Sequence, residues 1–166
     1  MFTLYSADFT GNPGNCSYPH KTVVMNTDNL REAVCHDYVC AEYKNHYRNG
    51  ENFISADCLP VDCDNDHSED PKDWVTPADV LEAFPGVSIA IHYSRFNNRE
   101  KNGKPARPKF HVLFPIDRMT DATLYSDMKK LVNSIFPYFD TKALDAARFF
   151  FGTTAADVAL YPGRMN

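Results

Sequence analysis

Apolar residues recur along this chain with two different periods, and each period predicts its own kind of element. The stretches His20 to Met25, Phe53 to Asp64, Val87 to Ser94 and Lys109 to Pro115 read as strands, and Arg148 to Gly152 reads as a buried aromatic strand. Helical spacing appears three times. Thr27 is placed as an N-cap before Leu30, Val34 and Tyr38, spaced four apart. Thr76-Pro77-Ala78-Asp79 opens a second helix that Pro85-Gly86 closes. Thr120 is expected to cap a third, with Leu124, Met128, Leu131, Val132 and Ile135 as its core-facing stripe and Pro137 at its end.

Between these elements, Asn65 to Lys72 is polar and aperiodic and is expected to be a surface loop. Arg95 to Pro108, with two prolines and Gly103, is expected to be an exposed mobile loop joining two strands. No strong pattern follows Gly152. The order of elements predicts an α+β fold, a mixed or antiparallel sheet with packed helices, in one domain over 1–166. The ending at Tyr161-Pro162-Gly163 is compatible with a domain cut from a longer polypeptide.

Composition supports a folded globule: of 166 residues, 43% are hydrophobic and 23% charged, so apolar burial can offset chain entropy. No apolar run approaches the roughly 18 residues of a membrane span, and Met1 to Ala7 lacks a basic or apolar leader, so a soluble cytoplasmic protein is expected. Five cysteines without a CxxC pair predict reduced thiols; Cys35, His36, Cys40 and His46 fit no common structural-zinc spacing.

The net charge of −5 conceals a segregation. Seven acids lie between Asp57 and Asp73 against Lys72 alone, and six bases lie between Arg95 and Lys109 against Glu100 alone. An acidic and a basic cluster meeting at one site would hold a divalent cation and a phosphate together.

Three features carry candidate chemistry. In Val61-Asp62-Cys63-Asp64, strand alternation puts Asp62 and Asp64 on one face, roughly 6.5 Å apart, where their repulsion is relieved by a hard cation such as Mg²⁺ or Mn²⁺. An EF-hand loop starting at Asp62 fails, because its sixth position is His67 instead of glycine and its twelfth is Asp73 instead of glutamate. In Lys109-Phe110-His111-Val112, the same alternation sends Phe110 and Val112 to the core and Lys109 and His111 to the other face, a pairing suited to a nucleotide triphosphate. In Tyr138-Phe139-Asp140, an acid follows an aromatic pair, with Asp145 and Arg148 close behind as a further acid and a phosphate clamp.

In this order the three features resemble the motifs of the archaeo-eukaryotic primase superfamily, particularly the primase-polymerase domains of phages, plasmids and integrated elements. That family's pattern is a strand ending in D-x-D, a strand bearing s-x-H, and a hydrophobic residue followed by aspartate. Asp62 and Asp64 match the first, His111 the second and Asp140 the third, with Asp145 as the alternative. Lys109 departs from the pattern, standing where serine is frequent.

The resemblance implies a primase-like catalytic core derived from an RRM-like fold, acting as a DNA primase or polymerase. It implies that Asp62, Asp64 and Asp140 hold two Mg²⁺ or Mn²⁺ ions and that His111 contacts the incoming nucleoside triphosphate. Lys109 and Arg148 would neutralise further phosphate charge, and Arg95, Lys104 and Arg107 would contact nucleotide or template. A DNA template-primer, and a helicase region or accessory domain, are the implied partners. The competing classes are a metal-dependent nuclease, a sugar transferase and an inactive nucleic-acid-binding replication module.

Overall fold

The computed structural model describes residues 1–163. In chain order the elements are β1 (Phe2–Ser6), β2 (His20–Val24), α1 (Thr27–Ala33), β3 (Tyr38–Val39), β4 (Ala41–Tyr43), β5 (Phe53–Cys63), α2 (Pro77–Ala83), β6 (Ile89–Tyr93), β7 (Arg99–Lys101), β8 (Lys104–Arg107), β9 (Phe110–Met119), α3 (Ala122–Ile135), β10 (Phe149–Phe150) and β11 (Val158–Tyr161). They form a five-stranded sheet of order β11-β6-β9-β5-β4, a four-stranded sheet of order β10-β3-β1-β2, and the separate hairpin β7-β8. Every pairing between these strands is antiparallel.

The long strands β5 and β9 are the centre of the larger sheet, and their alternation builds two cores. Leu59, Val61 and Cys63 of β5, with Phe110, Val112 and Phe114 of β9, face the layer that holds Val80 of α2 and Tyr125 of α3. Cys58 of β5 and Leu113 of β9 face the other way, toward Leu4, Tyr38 and Phe150 of the smaller sheet and Leu30 of α1. Both faces of β5 are therefore covered. Asp57 keeps partial access to solvent in mid-strand, and the buried Asp62 and Cys63 give way to the part-exposed Asp64 where the strand ends.

Helix starts follow local chemistry. Thr76 and Asp79 form the reciprocal capping box that begins α2, each satisfying the other's free backbone N–H. The other two caps lie one residue from their expected positions. Asn26, not Thr27, accepts from Asn29 N to begin α1, and Asp121, not Thr120, accepts from Thr123 and Leu124 to begin α3. Helix α1 ends at Ala33, so Tyr38 belongs to β3 and not to a helical stripe.

The face of α3 also differs from expectation. Tyr125 and Lys129 are the buried positions and Met128 and Val132 pack beside them, whereas Leu124, Leu131 and Ile135 are exposed. The helix is turned by roughly one residue, about 100°, relative to the apolar stripe. Its inward polar tips explain the turn: Tyr125 Oη donates to Cys58 O, Lys129 Nζ to Asp145 O, and Asn133 Nδ2 to Phe139 O. These side chains bury their stems and find partners for their heads.

The segment from Asp66 to Lys72 lies at the surface as expected, except that its start is anchored, and the second loop expectation is corrected. Asn65 is buried, its amide bonded to Val75 and to Pro108 O, so the segment after β5 is anchored at its first residue. The region from Arg95 to Pro108 contains the β7-β8 hairpin, turned through Asn102 and Gly103 at φ 54° and 75°. The strand β11, in the stretch that shows no sequence pattern, pairs along β6.

Candidate metal centre

The register of the central sheet assembles the site. Asp62 of β5 lies opposite His111 of β9, and His111 lies opposite His92 of β6, so one carboxylate and two imidazoles form a row across three strands. Asp64 follows where β5 ends. Asp140 is brought in from the far end of α3: its N–H donates to Asp62 O at 2.7 Å, while Asn133 holds the preceding Phe139 O. The result is three carboxylates, from Asp62, Asp64 and Asp140, whose oxygens lie within 4.8 Å of one another.

Asp62 is the most constrained of the three. It is buried, and its Oδ1 has no hydrogen-bond partner among the described residues; His111 Nε2 lies 3.6 Å away, beyond bonding distance. Burial, with the nearby charges of Asp64 and Asp140 and against the pull of Arg148, raises its pKa to about 8. An unpartnered buried carboxylate oxygen facing two more carboxylates is poorly suited to a proton-free apo state and well suited to a hard cation. The three residues therefore fit a divalent metal.

The cations nearby are placed unequally. Lys109 Nζ donates to Asp64 O at 2.9 Å and lies 3.1 Å from Asp64 Oδ1, fixing that acid. Arg148 reaches to 4.0 Å from Asp62 Oδ2, with its guanidinium 5.8 Å from the Phe150 ring centroid. Lys104 pairs with Asp66 at 3.2 Å on the rim. Arg95 lies over Phe151 and Phe96. Arg107 departs from the expected exposed position: its side chain is fully buried, bonded to Asn65 O, Ser68 O and Glu69, and stacked on Trp74. Asp145 is exposed, accepts from Ala147 N, and lies outside the carboxylate cluster.

Two cavities are bordered by Asp64 and Asp66. One, of about 200 Å³, is bordered by Tyr138, Asp140 and Thr141. The other, of about 210 Å³, is bordered by Lys101, Lys104, Lys109 and Lys142. A roomier cavity of about 310 Å³, lined by Met1, Phe2, Val24 and Leu160 among others, holds none of the clustered acids. Chemistry, and not size, marks the cleft at Asp64.

Behind the acids is a layer that the motif pattern does not contain. Tyr38 Oη lies 3.0 Å from His111 Nδ1 and 3.1 Å from His92 Nδ1, and the Phe150 ring packs on both Tyr38 and His111. Burial lowers the pKa of His111 to about 4 and holds that of His92 well below the usual imidazole range. Asp37, fully buried, accepts from Gly11 N, Asn12 N and Gly152 N, pinning the exit of β10. His92 is the one polar residue inside Ile89-Ala90-Ile91-His92, a local signal available in sequence; Tyr38 and Asp37 offer none.

Comparison with known proteins adds the fold. Among solved structures, the chain is similar to the AEP domain of the primase-polymerase of cyanophage S-2L, with a TM-score of 0.54 and 13% sequence identity, over 99% of this chain and 83% of that one. This is an AEP-like fold. No family model matches the sequence, and no curated protein matches it. The likeness is one of architecture: antiparallel sheets with few helices, as predicted from the order of elements. Among the described residues no helix is long and apolar enough to cross a membrane.

Proposed function

We infer that this chain is a metal-dependent nucleotidyl transferase of the primase-polymerase kind, adding nucleotides from nucleoside triphosphates to a DNA primer on its template. The observation that carries the reading is the convergence of Asp62, Asp64 and Asp140 at one cleft beside His111, in a fold like that of a primase-polymerase AEP domain.

Asp62, Asp64 and Asp140 would hold Mg²⁺ or Mn²⁺ through carboxylate oxygens, and the bound metal supplies Lewis-acid activation of phosphoryl oxygens and of the attacking hydroxyl. The remaining work falls to the protein's own groups. His111 presents Nε2 beside Asp62 Oδ1, placed to meet a non-bridging phosphate oxygen. Arg148 and Lys109 flank it with fixed positive charge, and Lys101, Lys104 and Lys142 add cationic surface in the cavity that Asp64 and Asp66 also line. Lys101, Lys104 and Arg95 are the proposed contacts to template or nucleotide. The covered sheet faces behind Asp62 and His111 exclude water from the inner side, where electrostatic interactions are strongest.

The test is extension of a labelled primer-template with nucleoside triphosphates and Mg²⁺ or Mn²⁺. The parent should extend the primer, and a folded Asp62→Asn, Asp64→Asn double variant should lose on the order of 10³-fold in rate. Equal extension by both proteins refutes the assignment. Shortening of DNA in the absence of nucleotides points to a nuclease, and salt-dependent binding without extension to a binding module.

A further inference from the structure

Tyr38, His92 and His111 share a closed triangle of polar atoms. The two Nδ1 atoms are 3.2 Å apart, and Tyr38 Oη is 3.0 Å from one and 3.1 Å from the other. The relative exposures of Tyr38, His92 and His111 are 0%, 0% and 6%, so the triangle must satisfy itself without bulk water.

The proton count is restricted. Two N–H groups cannot point at each other across 3.2 Å, so in the neutral rings at most one Nδ1 carries hydrogen. The far nitrogen of His92 decides which one. His92 Nε2 is buried and has no hydrogen-bond partner among the described residues. A buried N–H without an acceptor is the rarer and costlier arrangement, so Nε2 of His92 carries the lone pair and Nδ1 carries the proton. His92 Nδ1–H then donates to Tyr38 Oη, and Tyr38 O–H donates to His111 Nδ1. With its Nδ1 accepting, His111 has its proton on Nε2, the atom that faces Asp62 Oδ1 across the cleft.

We propose that Tyr38 and His92 are positioning residues that fix His111 as the Nε2–H tautomer, so that it offers a hydrogen-bond donor to an anionic oxygen in the cleft. The opposite tautomer would aim a lone pair at any phosphate oxygen beside it. Naming that oxygen as part of a nucleoside triphosphate rests on the function proposed above; the tautomer does not.

The test is a long-range ¹H–¹⁵N correlation spectrum of ¹⁵N-histidine-labelled protein, with His111 assigned by its contacts to the Phe150 ring and His92 by a His92→Gln variant. The expected spectrum has His111 protonated on Nε2 and His92 protonated on Nδ1. In Tyr38→Phe, which keeps the ring stacked on Phe150, His111 should shift to a mixture of tautomers. The KM for nucleoside triphosphate should then rise about tenfold with a smaller change in kcat.

Protonation of His111 on Nδ1 in the parent, or a Tyr38→Phe spectrum identical to the parent's, overturns the proposal. The spectrum of the parent is decisive even if neither variant folds. The expected tautomers in a protein that incorporates no nucleotide would uphold the relay and discard the polymerase reading, so the two failures are distinct.

Discussion

Asp62 ties the stability of the molecule to pH in a direction opposite to that of most aspartates. Its pKa, raised to about 8 by burial, means that the folded state retains a proton that the unfolded state releases near the ordinary aspartate value. Stability from this group is full at low pH and is lost as pH rises toward 8. His111 and His92, with lowered values, act oppositely, but only below the unfolded histidine value of about 6.5. Lys129, lowered to about 8 by its burial, acts only above that point.

The window from about pH 6.5 to 8 therefore belongs to Asp62. Metal-free protein should lose stability across it, by up to about 1.4 kcal/mol per pH unit. Thermal unfolding in chelator should show the fall, Asp62→Asn should flatten it, and saturating Mn²⁺ should remove it, because a metal binds the carboxylate and not the acid. A flat parent profile would contradict the burial argument. At this scale the acids were legible in sequence, because each follows an apolar strand or an aromatic pair. Tyr38 was not: it meets His92 across 54 positions and His111 across 73, and no local pattern encodes such a meeting.

Among the elements, those with strong local chemistry were readable. The capping box of α2 and the alternation of β5 and β9 appear where the sequence places them. The face of α3 was not readable, because hydropathy assigns Lys129 and Asn133 to solvent, whereas their partners, the carbonyls of Asp145 and Phe139, lie inside. The hairpin β7-β8 carried a usable signal in Asn102-Gly103, outweighed by the surrounding charge and proline.

The short strand β10 depends on a feature of packing. A Cβ at Gly152 would lie 2.2 Å from the His36 carbonyl carbon and oxygen, so the chain leaving β10 can pass His36 only as glycine. Gly152→Ala should cost about 3 kcal/mol in denaturant unfolding. It should also lower extension activity in the protein that remains folded, because Arg148 and Phe150 precede it on the same strand segment. Unchanged stability would mean that the His36 segment yields without cost.

For the whole molecule, a net charge of −5 is compatible with nucleic-acid binding only if its bases are gathered. The structure gathers them around Asp64, where Lys101, Lys104, Lys109 and Lys142 border one cavity. Binding of a primer-template should therefore weaken steeply with salt. A Lys101→Ala, Lys104→Ala variant should flatten the plot of log affinity against log salt by roughly 0.9 for each phosphate no longer neutralised. An unchanged slope would place the duplex elsewhere. The two-sheet architecture was legible only as a class: four- and two-residue strands such as β11 and β3 are too short to show a period, and their pairing is decided by distant partners.

The cysteines fall into two classes of burial. Cys16 and Cys35 are partly accessible, while Cys40, Cys58 and Cys63 are buried beside the central strands. A thiol reagent thus meets two populations, a fast one at the surface and a slow one that includes Cys58 and Cys63, released only when β5 separates from its neighbours. The slow phase of such labelling is an internal clock for the opening of the strand that bears Asp62, readable in a protein with no probe attached.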